Sequence, residues 1–140
     1  MQEPKIKFHS ECDFRQTNPE TYVLWLSAVA KEEGKLPEEI NYIFCDDTYL
    51  HKINLEFLSH DDYTDIITFD YGVGDTLIGD VYVSVERVLE NSKTYSESFV
   101  EEMNRVLVHG LLHLCGYKDK TTSEAAEMRN KENYYLSLRA

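Results

Sequence analysis

Two histidines four residues apart, His109 and His113, form the clearest chemical motif of the chain. They lie in an apolar run with helical spacing, and on a helix residues i and i+4 share one face. Gly116 lets the chain leave the helix sharply, and Asp119 follows three residues later. Two imidazole nitrogens and a carboxylate oxygen, with a fourth position for water, make a catalytic zinc site. The spacing predicts that His109, His113 and Asp119 bind one Zn²⁺ ion, or another transition metal, per chain.

Each of these residues also has a simpler interpretation. A single histidine on an apolar face is usually a core residue, and an acidic residue near a helix end is usually solvated. The same pattern also describes the metzincin metalloproteases, in which a glutamate directly after the first histidine is the general base. Gly110 occupies that position here. A peptidase with this sequence would therefore lack its base.

The run from His109 to Tyr117 resembles the YbeY family of metal-dependent endoribonucleases, which are rRNA maturation factors. The matching residues are His109, Gly110, Leu112, His113, Leu114, Gly116 and Tyr117. The family usually has a histidine as its third ligand where this chain has Asp119, and an aspartate where it has Lys118. Aspartate is an acceptable zinc ligand but a harder one, which leaves the identity of the metal open.

Earlier segments extend the resemblance from about Ile40 to Tyr117. The family's order and approximate spacing recur in Asn54 with Phe57, in Thr64-Asp65 with Thr68-Phe69, and in Ile78-Gly79-Asp80-Val81 with Ser84. The family usually places an arginine, implicated in function, one residue after the position of Phe57. Leu58 stands there in this chain, so a phosphate clamp from this position is excluded.

The resemblance implies a metal-dependent endoribonuclease that prefers single strands and acts in rRNA maturation and ribosome quality control. It implies His109, His113 and Asp119 as ligands, and single-stranded RNA or rRNA and the ribosome or its associated proteins as partners. It does not identify a general base. Two alternatives remain open: a metal-dependent hydrolase of another substrate, such as a peptide, and a non-catalytic ribosome-associated factor with a structural metal.

Composition indicates a globular protein with one core. The 140 residues are 42% hydrophobic and 29% charged, which fits one domain spanning residues 1–140. The net charge of −12 argues against tight non-specific nucleic-acid binding, which needs a basic face. We expect no DNA partner. Residues 101–140 hold six basic and six acidic residues, so the acidic excess lies before them. We expect a cytoplasmic protein without a membrane anchor, because we find no signal region, no long apolar stretch and no disulfide pattern in Cys12, Cys45 and Cys115.

The elements that must position these residues indicate an α+β fold. Alternation and turn residues predict four strands: Lys5–His9, Ile40–Cys45, Thr64–Asp70 and Leu77–Ser84. Helices are predicted after caps at Asn18, at Asp46 or Asp47, and at Ser84. The long helix is predicted to begin at Ser98 or Phe99, and the run Thr121-Thr122-Ser123-Glu124 has the residues of a capping box for a last helix. We expect a mixed sheet of about four strands with helices covering one face. The long helix that ends at Gly116 should be the most buried and should carry the metal site.

Overall fold

Nine helices and strands follow one another in the computed structural model, which describes residues 5–59 and 63–139. They are β1 (Ile6–Ser10), α1 (Pro19–Glu32), β2 (Leu36–Cys45), α2 (Asp47–Leu58), β3 (Ile66–Asp70), β4 (Thr76–Ser84), α3 (Val85–Thr94), α4 (Phe99–Leu114) and α5 (Thr122–Ser137). The third predicted strand is two residues shorter than expected. The polar loop predicted for 59–63 lies in part outside the described residues.

Four helices begin at side-chain caps close to the predicted starts. The side chains of Asp46, Ser84, Ser98 and Thr121 each accept a hydrogen bond from the backbone N–H three residues on. Such bonds satisfy N–H groups that have no partner within the helix. Asn18 is different: it precedes α1 in a left-handed conformation and makes no side-chain capping bond. Pro19, whose φ is already helical, begins that helix instead.

The sheet is mixed, as predicted. Its strand order is β1-β2-β4-β3, with β1, β2 and β4 parallel and β3 antiparallel to β4. Parallel neighbours need a crossover, and α1 provides the one between β1 and β2. β3 and β4 form the expected hairpin around 71–75. The α+β prediction is therefore confirmed.

Helices lie on both faces of the sheet, whereas we expected them on one. The main core lies between one face and α1, α4 and α5, and includes Leu26, Tyr42 and Leu111. A smaller cluster, with Leu50 and Ile53 of α2, packs on the alternate residues of the strands. Successive strand residues point to opposite faces, so α2 covers the second face. The expectation was wrong because α2 is also amphipathic and has its own apolar partners there.

The predicted burial of α4 is observed, and a glycine brings this helix close to the sheet. A Cβ added to Gly110 would lie 2.8 Å from Ile66 Cδ1 and 2.8 Å from Val81 Cγ1. A side chain at this position would push α4 away from β3 and β4. Close packing against the sheet thus explains the glycine at position 110, and a metzincin-type glutamate does not fit there.

Within the described ranges, no helix combines the length and apolar character that crossing a bilayer requires.

Candidate metal centre

The helix and turn predicted to assemble the centre do bring its three residues together. α4 presents His109 and His113 on one face, with their ring planes 81° apart. Gly116 has a φ of +110°. The N–H of Gly116 bonds to the His113 carbonyl, and the N–H of Tyr117 to the Leu112 carbonyl. This pair of bonds is a Schellman motif, which turns the chain back so that Asp119 faces the imidazoles.

The distances within the group suit a tetrahedral metal ion. The Nε2 atoms of His109 and His113 are 3.0 Å apart. Asp119 Oδ2 lies 3.3 Å from His109 Nε2 and 3.4 Å from His113 Nε2. Ligand atoms bound tetrahedrally to zinc at 2.0–2.1 Å would be separated by about 3.3 Å. Among the described residues, this is the one group of three or more His, Cys, Asp or Glu side chains that converges in this way.

The other ring nitrogens fix which atoms face the centre. His109 Nδ1 lies 2.5 Å from Glu132 Oε2, and His113 Nδ1 lies 3.0 Å from the Tyr117 carbonyl oxygen. A carboxylate and a carbonyl oxygen only accept, so both Nδ1 atoms carry the hydrogen. The two Nε2 atoms of the neutral rings then present lone pairs to each other and to the Asp119 carboxylate. Three such donors fit a positive charge between them, which either a metal ion or a proton on His109 can supply.

Glu132 on α5 is a site residue that our sequence analysis did not identify. Besides holding His109, its carboxylate accepts from Arg105 Nη1 at 2.8 Å, and its side chain is only 5% exposed. Burial opposes the charge, but the hydrogen bonds from His109 and Arg105 outweigh it and hold the pKa of Glu132 below its usual value. Arg105 therefore binds a carboxylate of its own protein rather than standing free for a phosphate.

The surroundings of the two histidines shift their pKa values in opposite directions. Burial lowers the pKa of His109, but its bond to Glu132 outweighs that effect, and the net shift is upward. Burial and the neighbouring His109 lower the pKa of His113. A metal needs both Nε2 atoms unprotonated, so protons compete with it mainly at His109.

A second carboxylate, that of the partly buried Glu33 after α1, supports the turn. It accepts hydrogen bonds from Tyr117 Oη at 2.6 Å, from Lys131 Nζ at 3.2 Å and from the Tyr135 hydroxyl. The hydroxyl group of Tyr117 is thus bound by Glu33, while the carbonyl oxygen of the same residue orients the ring of His113. Ends of α1 and α5 and the turn after α4 meet at this carboxylate.

Other residues considered in the sequence have structural roles. Asp65 accepts from Asn91, Asp80 accepts from Asn41, and Trp25 lies in the core with its indole N–H donating to the Tyr135 carbonyl. Burial raises the pKa of the Cys115 thiol to about 12, in keeping with a packing role.

Three further residues considered in the sequence lie outside the converging group. Leu58 ends α2 and is exposed. His9 and His51 lie on β1 and α2, where they contact Asn41 and Tyr63.

We expect Asp119→Ala to weaken zinc binding and Asp119→His to keep or strengthen it. Asp119 is exposed, but its oxygen completes the triangle of donors. Losing a direct ligand should exceed the ~10–100-fold loss of affinity that follows removal of an outer hydrogen-bond partner. Competition with a chelator would measure this, with the exposed Asp13→Ala as a control of equal charge. Equal affinity of Asp119→Ala and Asp13→Ala would mean that Asp119 is not a ligand.

Comparison with known proteins identifies the family and agrees with this fold. The family model described as Endoribonuclease YbeY matches residues 6–139. A Flavobacterium johnsoniae protein named Endoribonuclease YbeY is 54% identical over 95% of this chain and 96% of its own length. One of the same name from Christiangramia forsetii is 50% identical over 99% and 96%. The solution structure of a Thermotoga maritima protein matches 94% of this chain and 86% of its own, with a TM-score of 0.62 and 25% identity. With nearly the whole chain matched at this level, the protein belongs to the endoribonuclease YbeY family.

Proposed function

We propose that this chain is a single-domain, metal-dependent endoribonuclease that prefers single-stranded RNA. The observation that carries the proposal is the convergence of His109 Nε2, His113 Nε2 and Asp119 Oδ2, with both Nδ1 hydrogens donated away from the centre. Family membership supplies the substrate class, since the relatives are named as endoribonucleases. We further propose rRNA maturation and ribosome quality control in the cytoplasm as its setting, with the ribosome as partner; the free cysteines fit that compartment.

His109, His113 and Asp119 would hold the metal, with zinc as the proposed ion. A zinc ion held there would supply Lewis-acid chemistry, which polarises a phosphodiester oxygen and lowers the pKa of a water molecule. Two neighbouring groups of the protein fix the orientation of the histidine ligands. Glu132 fixes the ring of His109, and the Tyr117 carbonyl fixes that of His113. Oriented imidazoles bind a metal more tightly than mobile ones.

Two features favour this proposal over its alternatives. A peptidase of the metzincin type needs a glutamate at position 110, and packing against Ile66 and Val81 leaves no room for it. A structural zinc site is usually closed by four protein ligands, whereas three converge here in the described ranges. The remaining position and the partial exposure of Asp119 leave access for a substrate.

Activity assays on three substrates test the proposal. Zinc-loaded protein should cleave an unstructured RNA, cleave a matched duplex more slowly and leave casein intact. A chelator should abolish cleavage, and added zinc should restore it. Casein hydrolysis would favour the peptidase alternative. Metal-loaded protein that cleaves none of the three substrates would favour the structural metal. Cleavage unaffected by the chelator would overturn metal dependence.

A further inference from the structure

A polar cavity of about 230 Å³ opens directly beside the metal centre. His109 and Asp119 form part of its wall. The other polar lining residues include Asp65, Asn91, Tyr95, Glu102, Arg105 and Arg129. Pockets for drug-sized ligands typically measure about 300–1,000 Å³. This cavity, called the Glu102 cavity below, therefore suits a smaller group, of the size of one nucleobase.

Glu102 is the least explained residue of this cavity. It is 6% exposed, yet its carboxylate makes no hydrogen bond or ion pair with any residue in the ranges 5–59 and 63–139. Burial, followed by the nearby Asp65, raises the pKa of the Glu102 carboxyl by more than the charges of Arg105 and Arg129 lower it. Neither of its oxygens is among the fully buried atoms without a partner, so the carboxylate remains open to the cavity that it lines. A ligand that donates hydrogen bonds would supply the missing partner.

The position of Glu102 in a helix does not account for its burial. Acidic residues in a first helical turn are favourable because of the helix dipole. Glu101 occupies the same turn and has that benefit while remaining exposed. The helix dipole thus favours an acidic residue in this turn, but it does not explain why the side chain of Glu102 is buried.

The chemistry of the cavity selects a base rather than a phosphate. A carboxylate only accepts hydrogen bonds, and it repels phosphate. Tyr95 at the mouth is 62% exposed, and Arg129 is exposed without an ion pair among the described residues. Unpaired RNA bases bind by stacking on aromatic rings or guanidinium planes and by hydrogen bonds along their edges. Carboxylates in particular accept from the amino group of cytosine.

The distance between the cavity and the metal centre suits one RNA strand. Glu102 and His109 are seven residues apart on α4, so about two turns, or ~10 Å, separate them along one face of the helix. A phosphate at the metal centre and the base of a nearby nucleotide can therefore be held together.

We infer that the Glu102 cavity binds one unpaired nucleobase bearing an exocyclic amino group, which donates to Glu102 while the ring stacks on Tyr95. This inference rests on the proposed endoribonuclease function and adds a base preference to it. Cytosine is preferred over uracil, which has about the same size and stacking face but an acceptor in place of the amino group.

A competition between two oligonucleotides tests this preference. A uridine heptamer and the same heptamer with one central cytidine are mixed with zinc-loaded protein, and their relative consumption gives the ratio of kcat/KM. Wild type should prefer the cytidine heptamer by about tenfold, within the range of one good base contact. Glu102→Gln, whose amide both donates and accepts, should reduce the ratio to about one. Glu101→Gln removes the same charge at an exposed neighbour and should keep the preference.

Equal use of both heptamers by wild type would overturn the inference while leaving the endoribonuclease proposal intact. A preference that survives in Glu102→Gln would also overturn it. Circular dichroism during thermal unfolding checks that both variants are folded. Should the protein cleave neither heptamer, the function proposal fails, and fluorescence anisotropy with the uncleaved heptamers measures the base preference directly.

Discussion

The double variant His109→Ala with His113→Ala is expected to contain almost no zinc, against about one ion per chain in the wild type. These residues supply two of the three atoms that converge, and Asp119 alone is a single exposed carboxylate. One carboxylate in water does not hold a transition metal at micromolar concentrations. RNA cleavage should disappear together with the metal. Elemental analysis of purified protein gives the stoichiometry.

The matched control replaces two histidines outside the centre, His9→Ala with His51→Ala. His9 bonds to Asn41 on the sheet and His51 stacks on Tyr63, and neither belongs to the converging group. This control should retain one zinc ion per chain. Full zinc retention in the His109 and His113 double variant would show that the metal, if any, is bound elsewhere.

Glu132→Ala is expected to reduce both zinc affinity and stability. His109 would lose the acceptor that fixes its ring, and loss of such a partner typically lowers affinity by about 10–100-fold. Arg105 would lose its carboxylate in a partly buried position. Since Arg105 keeps some contact with water, we expect a loss of about 2–3 kcal/mol in the free energy of unfolding. Chelator competition measures the affinity, and denaturant titration measures the stability.

Glu127→Ala on the exposed side of α5 is the control for this loss of charge. It should bind zinc like the wild type. Glu132→Gln retains an acceptor for His109 without the charge, so its zinc affinity should lie between those of Glu132→Ala and the wild type. If Glu132→Ala and Glu127→Ala bind zinc equally, the bond between Glu132 and His109 has no role in holding the metal.

The converging group was predictable because its geometry is local. His109, His113, Gly116 and Asp119 lie within eleven positions, and helix periodicity plus one glycine turn determine their relation. The resemblance of this segment to one family was confirmed by the comparisons. The metal itself stays a prediction.

Glu132 was missed because its role depends on how α5 packs against α4. It follows His109 by 23 residues, and no local pattern relates the two. A usable signal did exist in the sequence. Met128, Glu132 and Tyr135 follow one another at helical spacing and are all buried, so a glutamate interrupts the packed stripe of α5. A charged residue in such a stripe needs a buried partner and is a candidate for a functional site.

The order of the strands in the sheet and the face covered by α2 could not be predicted from the sequence. Alternation in the sequence identified the strands, but pairing of β2 with β4 joins segments whose relation no short pattern specifies. Likewise, the amphipathic α2 could satisfy its apolar side on either face of the sheet. Local propensity thus accounts for the elements, and packing accounts for their arrangement.

The contacts between the first helix and the last one have a consequence for the time course of folding. The indole of Trp25 bonds to the Tyr135 carbonyl, and Glu33 bonds to Tyr135, so these contacts join residues 110 and 102 positions apart. Contacts of such long sequence separation slow folding, and synthesis proceeds from the N-terminus. A nascent chain therefore carries His109 and His113 before the residues of α5 that fix them have been made. The three converging side chains are therefore synthesised before Glu132, and the contact that holds the ring of His109 forms only after the last helix has been made.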